Sequence, residues 1–283
     1  MWPIPQPDLD ARSVYATCVS KTRPAKVKAR LELLEDAVAA AADEYEKAAA
    51  TGSLHALKHL KDQPDGNDPA KGDNKKLTSC YTSRMARKGS AGREIYNQLI
   101  KSARRGRCPL CGHGFADTID HQLPKIAYPL LAVTPANLVP ACLPCNKAKG
   151  EAIPALAEEQ TLHPYFDDVS GQVWLAARLT PPPEPGVIFF VAPPADWSAT
   201  LSARVQRHFT TYKLARLYAA QVGTELAALS DYLRGKPYRA AIDEIHDRAA
   251  SYGNRNSWQA ALYRALAANP WFIKTGCLSA WEE

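Results

Sequence analysis

Two short cysteine pairs, Cys108-Pro-Leu-Cys111 and Cys142-Leu-Pro-Cys145, enclose an acid and a histidine in direct succession, Asp120-His121. A Cys-x2-Cys turn lets two thiolates converge on one tetrahedral ion at about 2.3 Å. Two such turns complete a four-thiolate site with no open position. Paired spacing of this kind reads as a metal site rather than as disulfides in a reducing compartment. Zn²⁺ held in this way is structural: it ties together the ends of the 30 intervening residues and adds folding free energy to a segment too short to bury much of a core. Cys18, Cys80 and Cys277 are scattered. A closed four-thiolate site does no chemistry, so any reaction must come from what lies between and beside the pairs.

Three positions there qualify, in order: Asp120-His121 in "TIDHQLPK", Asn137 in "PANLVP", and Asn146 directly after Cys145. The elements that must position them follow from local pattern. "DTIDH" and "ANLVPA" are β-like runs, and the second cysteine pair opens a short helix. Pro144 is tolerated there because first-turn amides have no intrahelical acceptor. The staple then sets the end of the first strand against the start of the helix, so that Asp120 and Asn146 would share a cation with His121 beside it. Successive strand residues point to opposite faces, so Asp120 and His121 can serve one site only where the strand ends or bulges. Pro124 and Pro129 favour an end.

The string "CPLCG…TIDHQLPK…NLVPACLPCNKAKG", about 108–150, resembles the HNH endonucleases, the ββα-metal or His-Me finger nucleases, in a zinc-stapled form. The resemblance places His121 at the family's first histidine, Asn137 at its asparagine and Asn146 at its final metal-binding position. Asparagine replaces the last histidine of the name motif there, as it does in the HNH domain of the RNA-guided CRISPR nuclease. The implied activity is hydrolysis of DNA phosphodiester bonds. His121 is the implied general base, since imidazole titrates near neutral pH. Asp120 and Asn146 would hold one catalytic cation, Mg²⁺ or Mn²⁺, because two oxygen donors favour a hard ion. Asn137 would orient the histidine's loop. Lys149 stands where the family tends to carry lysine, and Lys147 lies beside it; both are expected to touch phosphates. A weaker resemblance, through "LHPYFDD" and the helical flanks, is to bacterial defence-associated HNH proteins such as the Septu HNH subunit. It implies anti-phage defence and a protein partner, an ATPase or a reverse transcriptase. The competing reading is a zinc-stapled nucleic-acid-binding or accessory subunit that is active only with such a partner.

The rest of the chain sets the frame. Its 283 residues carry a formal net charge of +6. From Arg84 to Arg107 eight basic residues stand against Glu94 alone. Arg104, Arg105 and Arg107 abut the first cysteine pair and are the expected phosphate contacts. No run approaches the roughly 18 apolar residues that span a bilayer. "MWPIPQPDLDARSVYA" lacks a basic head followed by an apolar core, so a cytoplasmic chain with no membrane partner is expected. Leu31, Leu34, Val38, Ala41 and Tyr45 predict a helix over about 25–50. A second helix is predicted over about 90–105, with a flexible polar loop near 62–76 between the two. "QVWLAARL" and "GVIFFVA" read as strands joined by "TPPPEPG", and amphipathic helices follow. His113 reads as a turn residue, and His55, His59, His208 and His246 as structural. For His163 a buttress of the site and a core histidine both stay open. The predicted fold class is α+β, a small zinc-stapled ββα-metal unit embedded among N- and C-terminal helices. The predicted regions are 1–89 (helical), 90–168 (nuclease) and 169–283 (short strands, then helices).

Overall fold

A computed structural model describes residues 2–59, 72–180 and 186–276. Most of the predicted polar loop and the proline-rich strand linker lie outside the described residues. The fold class is α+β, and the chain divides into two compact units, 1–168 and 169–283.

The first unit opens with helices α1 (Ala11–Ser20), α2 (Ala25–Glu32) and α3 (Glu35–Ala50). Asp10 caps α1 by accepting from Ser13 N–H at 2.8 Å. Helix α3 buries Val38, Ala42, Tyr45 and Ala49, spaced by three or four residues along one stripe. After α4 (Asn74–Ser79) and a π-type turn at Cys80–Met85 comes α5 (Arg93–Lys101). Strands β1 (Thr118–His121) and β2 (Leu138–Ala141) pair antiparallel, and α6 (Leu143–Lys149) follows directly. Ile119 and Leu138, from the hairpin, belong to the same buried cluster as Tyr15, Leu31, Val38 and Leu77. The hairpin therefore completes a core supplied by the N-terminal helices, and residues 1–89 and 90–168 fold as one unit.

Two local expectations are corrected. The helix predicted over about 25–50 breaks at Leu33, which is 75% exposed, while Leu31 and Leu34 on either side are buried. At the break the Leu31 carbonyl accepts from Leu34 N–H at 3.0 Å and from the Tyr15 hydroxyl at 2.8 Å. The polar loop predicted to reach residue 76 ends earlier, because α4 begins at Asn74. Its Leu77 is 1% exposed, and the buried Asp73 carboxylate pairs with Arg30 Nε at 2.6 Å and with the Lys76 ammonium.

The second unit is a hairpin of β3 (Leu175–Thr180) and β4 (Gly186–Val191) with helices α7 (Ala199–Thr211), α8 (Leu214–Leu233), α9 (Tyr238–Tyr252) and α10 (Trp258–Ala268). Helix α10 packs on β3 and α8 on β4. Asn256 Oδ1 accepts from the N–H groups of Trp174 and Leu175 at 2.9 and 3.1 Å, fixing the entry to β3. Among the described residues, no helix is long and apolar enough to cross a membrane.

Candidate metal centre and adjoining cleft

Cys108, Cys111, Cys142 and Cys145 are buried, form no disulfide with one another, and bring their sulfurs within 4.8 Å of one another. Cys111 Sγ and Cys142 Sγ are 3.9 Å apart. A tetrahedral ion with bonds of about 2.3 Å has ligand edges of about 3.8 Å, so the quartet is positioned to bind a metal ion, and its spacing suits zinc. Backbone geometry builds the cage. Cys108 N–H donates to Gly114 O and Gly112 N–H to Cys108 O, both at 2.8 Å. Gly112 takes a φ of 68°, open to glycine at little cost. The Gly114 N–H points at Cys111 Sγ, 3.4 Å away. A Cβ on Gly114 would lie 2.9 Å from both Cβ and Sγ of Cys142, so the first turn closes on the second only with glycine there. Hydrogen bonds from the other three cysteines, and then from Gly114 N–H, hold the Cys111 thiol well below its ordinary range.

Beside this centre lies a cleft of about 240 Å³ lined by Asp120, His121, Lys125, Asn146, Lys147 and Glu151, with Pro124, Ile126 and Gly150. The structure thus brings Asp120, His121 and Asn146 together. The alternation problem is solved by a strand end: β1 stops at His121, opposite Leu138. Asn137 enforces the stop. Its Oδ1 accepts from Leu123 N–H at 2.8 Å, and its Nδ2 donates to the carbonyls of Leu123 and Leu131 at 3.0 and 3.2 Å. Asn137 is fully buried, so Asn137→Ala leaves three backbone groups without these partners. A loss of about 3 kcal/mol in unfolding free energy is expected, measured by chemical denaturation; a change below about 0.5 kcal/mol, the range of an ordinary surface substitution, would remove the clamp from the account.

His121 is held from two sides. Its Nε2 lies 2.9 Å from Ala132 O. A carbonyl only accepts, so Nε2 carries the hydrogen and Nδ1 keeps a lone pair. Tyr81 packs edge-on against the ring at 4.4 Å between centroids, and its own hydroxyl donates to Ile119 O at 3.2 Å. Burial pushes the His121 imidazole down to about 3, with Lys125 and Lys149 acting in the same direction; the ring is neutral at ordinary pH. Asp120 is 5% exposed. Burial raises its carboxyl to about 6 against the opposing pull of Lys149. Asn146 donates through Nδ2 to Thr118 Oγ1 at 3.2 Å and Ile119 O at 3.1 Å, which leaves Oδ1 as the atom it can offer a cation.

The expected phosphate contacts separate into two groups. Lys147 is exposed at the cleft, and Arg104 and Arg105 are exposed before the first cysteine. Lys149 is turned inward. Its ammonium donates to His121 O at 2.7 Å and lies 3.4 Å from Asp120 Oδ1. The His121 carbonyl, on the last residue of β1, receives its donor from α6; Lys149 braces the strand end instead of facing a phosphate. Arg107 is also committed, donating to His113 O at 2.7 Å and lying over the Phe115 ring at 4.5 Å. His163 does not line the cleft. Its Nδ1 accepts from Tyr165 N–H at 3.2 Å, so its Nε2 donates to the Tyr45 hydroxyl at 2.9 Å, joining the segment after α6 to α3. The sequence reading missed Tyr81, which carried no local signal, and Lys125, which stood in view four residues after His121.

Among known proteins, the chain is 32% identical over 156 residues to protein ea31 of Escherichia phage lambda, a match covering 54% of this chain and 52% of that protein. The chain spans about half the length of the curated relative it matches. No protein-family model matches it, and no solved structure matches it.

Proposed function

We propose that the chain is a metal-dependent HNH endonuclease that hydrolyses DNA phosphodiester bonds, with structural Zn²⁺ on the four cysteines. The observation that carries this reading is the convergence of Asp120, His121 and Asn146 on one cleft, with Nε2 of His121 bound to the Ala132 carbonyl. In this reading Nδ1 of His121 accepts the proton of the attacking water, and the Ala132 carbonyl steadies the imidazolium that forms. Asp120 and the Oδ1 of Asn146 would hold one Mg²⁺ or Mn²⁺; a carboxylate and an amide oxygen are a hard donor set that fits such an ion. That cation, when bound, supplies charge to the phosphate and to the leaving oxygen. Lys149, by pairing with Asp120 and bonding the His121 carbonyl, keeps both residues at the strand end. In this reading Lys147, Arg104 and Arg105, which are exposed, meet phosphates. Anti-phage defence and a partner ATPase or reverse transcriptase rest on the sequence resemblance alone.

The test is incubation of the zinc-loaded chain with supercoiled plasmid. Relaxed or linear product is expected with Mg²⁺ or Mn²⁺ and none without a divalent cation. A plasmid left intact under both metals overturns the reading.

A further inference from the structure

Phe115, at the rim of the four-cysteine centre, is 68% exposed. A single exposed apolar side chain needs no explanation by itself, but three features set this one apart. Its ring is fixed: the Arg107 guanidinium covers it at 4.5 Å, is anchored to His113 O at 2.7 Å, and belongs to a residue bridged antiparallel to Phe115. Its support is rigid: the preceding residue, Gly114, packs against Cys142 with no room for a Cβ. Its surroundings are cationic: Arg104 and Arg105 are exposed, at the end of a run with eight basic residues and Glu94 as its one acid.

A fixed aromatic ring beside exposed guanidiniums suits an unstacked base and its phosphates. The ring takes the π-face that every base has, and the cations take the backbone. A duplex keeps its bases stacked on one another and leaves the ring no such face. We infer that Phe115, backed by Arg107, is a stacking platform for an unpaired base of single-stranded DNA; this deepens the nuclease reading above and rests on it. Phe115 precedes Asp120 by five residues, which keeps the platform within about 17 Å of the cleft along the chain.

The test uses the full, zinc-loaded chain carrying His121→Gln, so that cutting is slowed roughly 10²- to 10⁴-fold. Fluorescence anisotropy reads its binding to a labelled oligothymidine and to a blunt duplex of equal length. Phe115→Ala is expected to weaken oligothymidine binding roughly 5- to 150-fold. Duplex affinity and the salt dependence should stay as they were, since no phosphate contact is removed. Phe115→Trp should restore the single-strand affinity. The paired change Arg104→Gln with Arg105→Gln should weaken both ligands and flatten the salt dependence. The side chain is mostly in solvent, and zinc content checks that the variants are folded. Unchanged oligothymidine binding by Phe115→Ala, or equal loss on both ligands, overturns the platform. The plasmid assay of the wild type decides the nuclease reading separately.

Discussion

Cys145→Ser protein is expected to purify without its metal and with residues 106–150 no longer fixed. Apparent binding free energies for structural zinc run to about 10–16 kcal/mol, comparable to the whole stability of a typical domain, about 5–15 kcal/mol. The remaining supports are the Asn137 hydrogen bonds and the packing of the hairpin on the N-terminal helices. The hairpin has four paired positions, and a two-stranded hairpin is marginal alone. The damage should spread, because Ile119 and Leu138 belong to the cluster that contains Tyr15, Leu31 and Val38 from the N-terminal helices. Metal analysis and limited proteolysis should therefore show zinc loss together with cleavage inside 106–150. Cys80→Ala, at a buried cysteine outside the quartet, should keep its zinc. Folded wild-type protein free of zinc, or a Cys145→Ser protein as protease-resistant as wild type, would sink the claim.

The four cysteines were legible because each pair is a local turn: spacing alone decides whether two sulfurs can meet one ion. The strand end at His121 was legible from Pro124 for the same reason. The directions of the basic residues were not. Sequence gives Lys149 and Arg107 a charge, but tertiary partners decide where that charge goes. Lys149 is recruited by the His121 carbonyl at the end of β1, and Arg107 by the His113 carbonyl and the Phe115 ring. The α2–α3 break is of the same kind, since the Tyr15 hydroxyl that binds the Leu31 carbonyl there comes from 16 residues away along the chain. Tyr81 illustrates the limit most clearly. Nothing near it in sequence marks it, yet it packs on the imidazole of the candidate base.

His121→Ala is expected to cut plasmid about 10²–10⁴-fold more slowly than wild type, the range for loss of a general base. The side chain is buried, donates to Ala132 O and touches Tyr81, so alanine also leaves a small cavity and an unpaired carbonyl. His121→Gln is the sharper variant, because its amide N–H can replace the bond to Ala132 while offering no basic nitrogen. It should keep zinc, DNA affinity and most of the stability, yet lose cleavage to a similar degree, as a group needed chiefly in the transition state should. Asp120→Ala and Asn146→Ala should behave differently, raising the Mg²⁺ concentration needed as well as lowering the rate. Asn146→His should move metal preference toward transition ions, which imidazole suits better than it suits Mg²⁺. If His121→Gln and His121→Ala both cleave at the wild-type rate, in preparations whose metal content and DNA binding match wild type, then the neutral imidazole at the end of β1 is a packing residue.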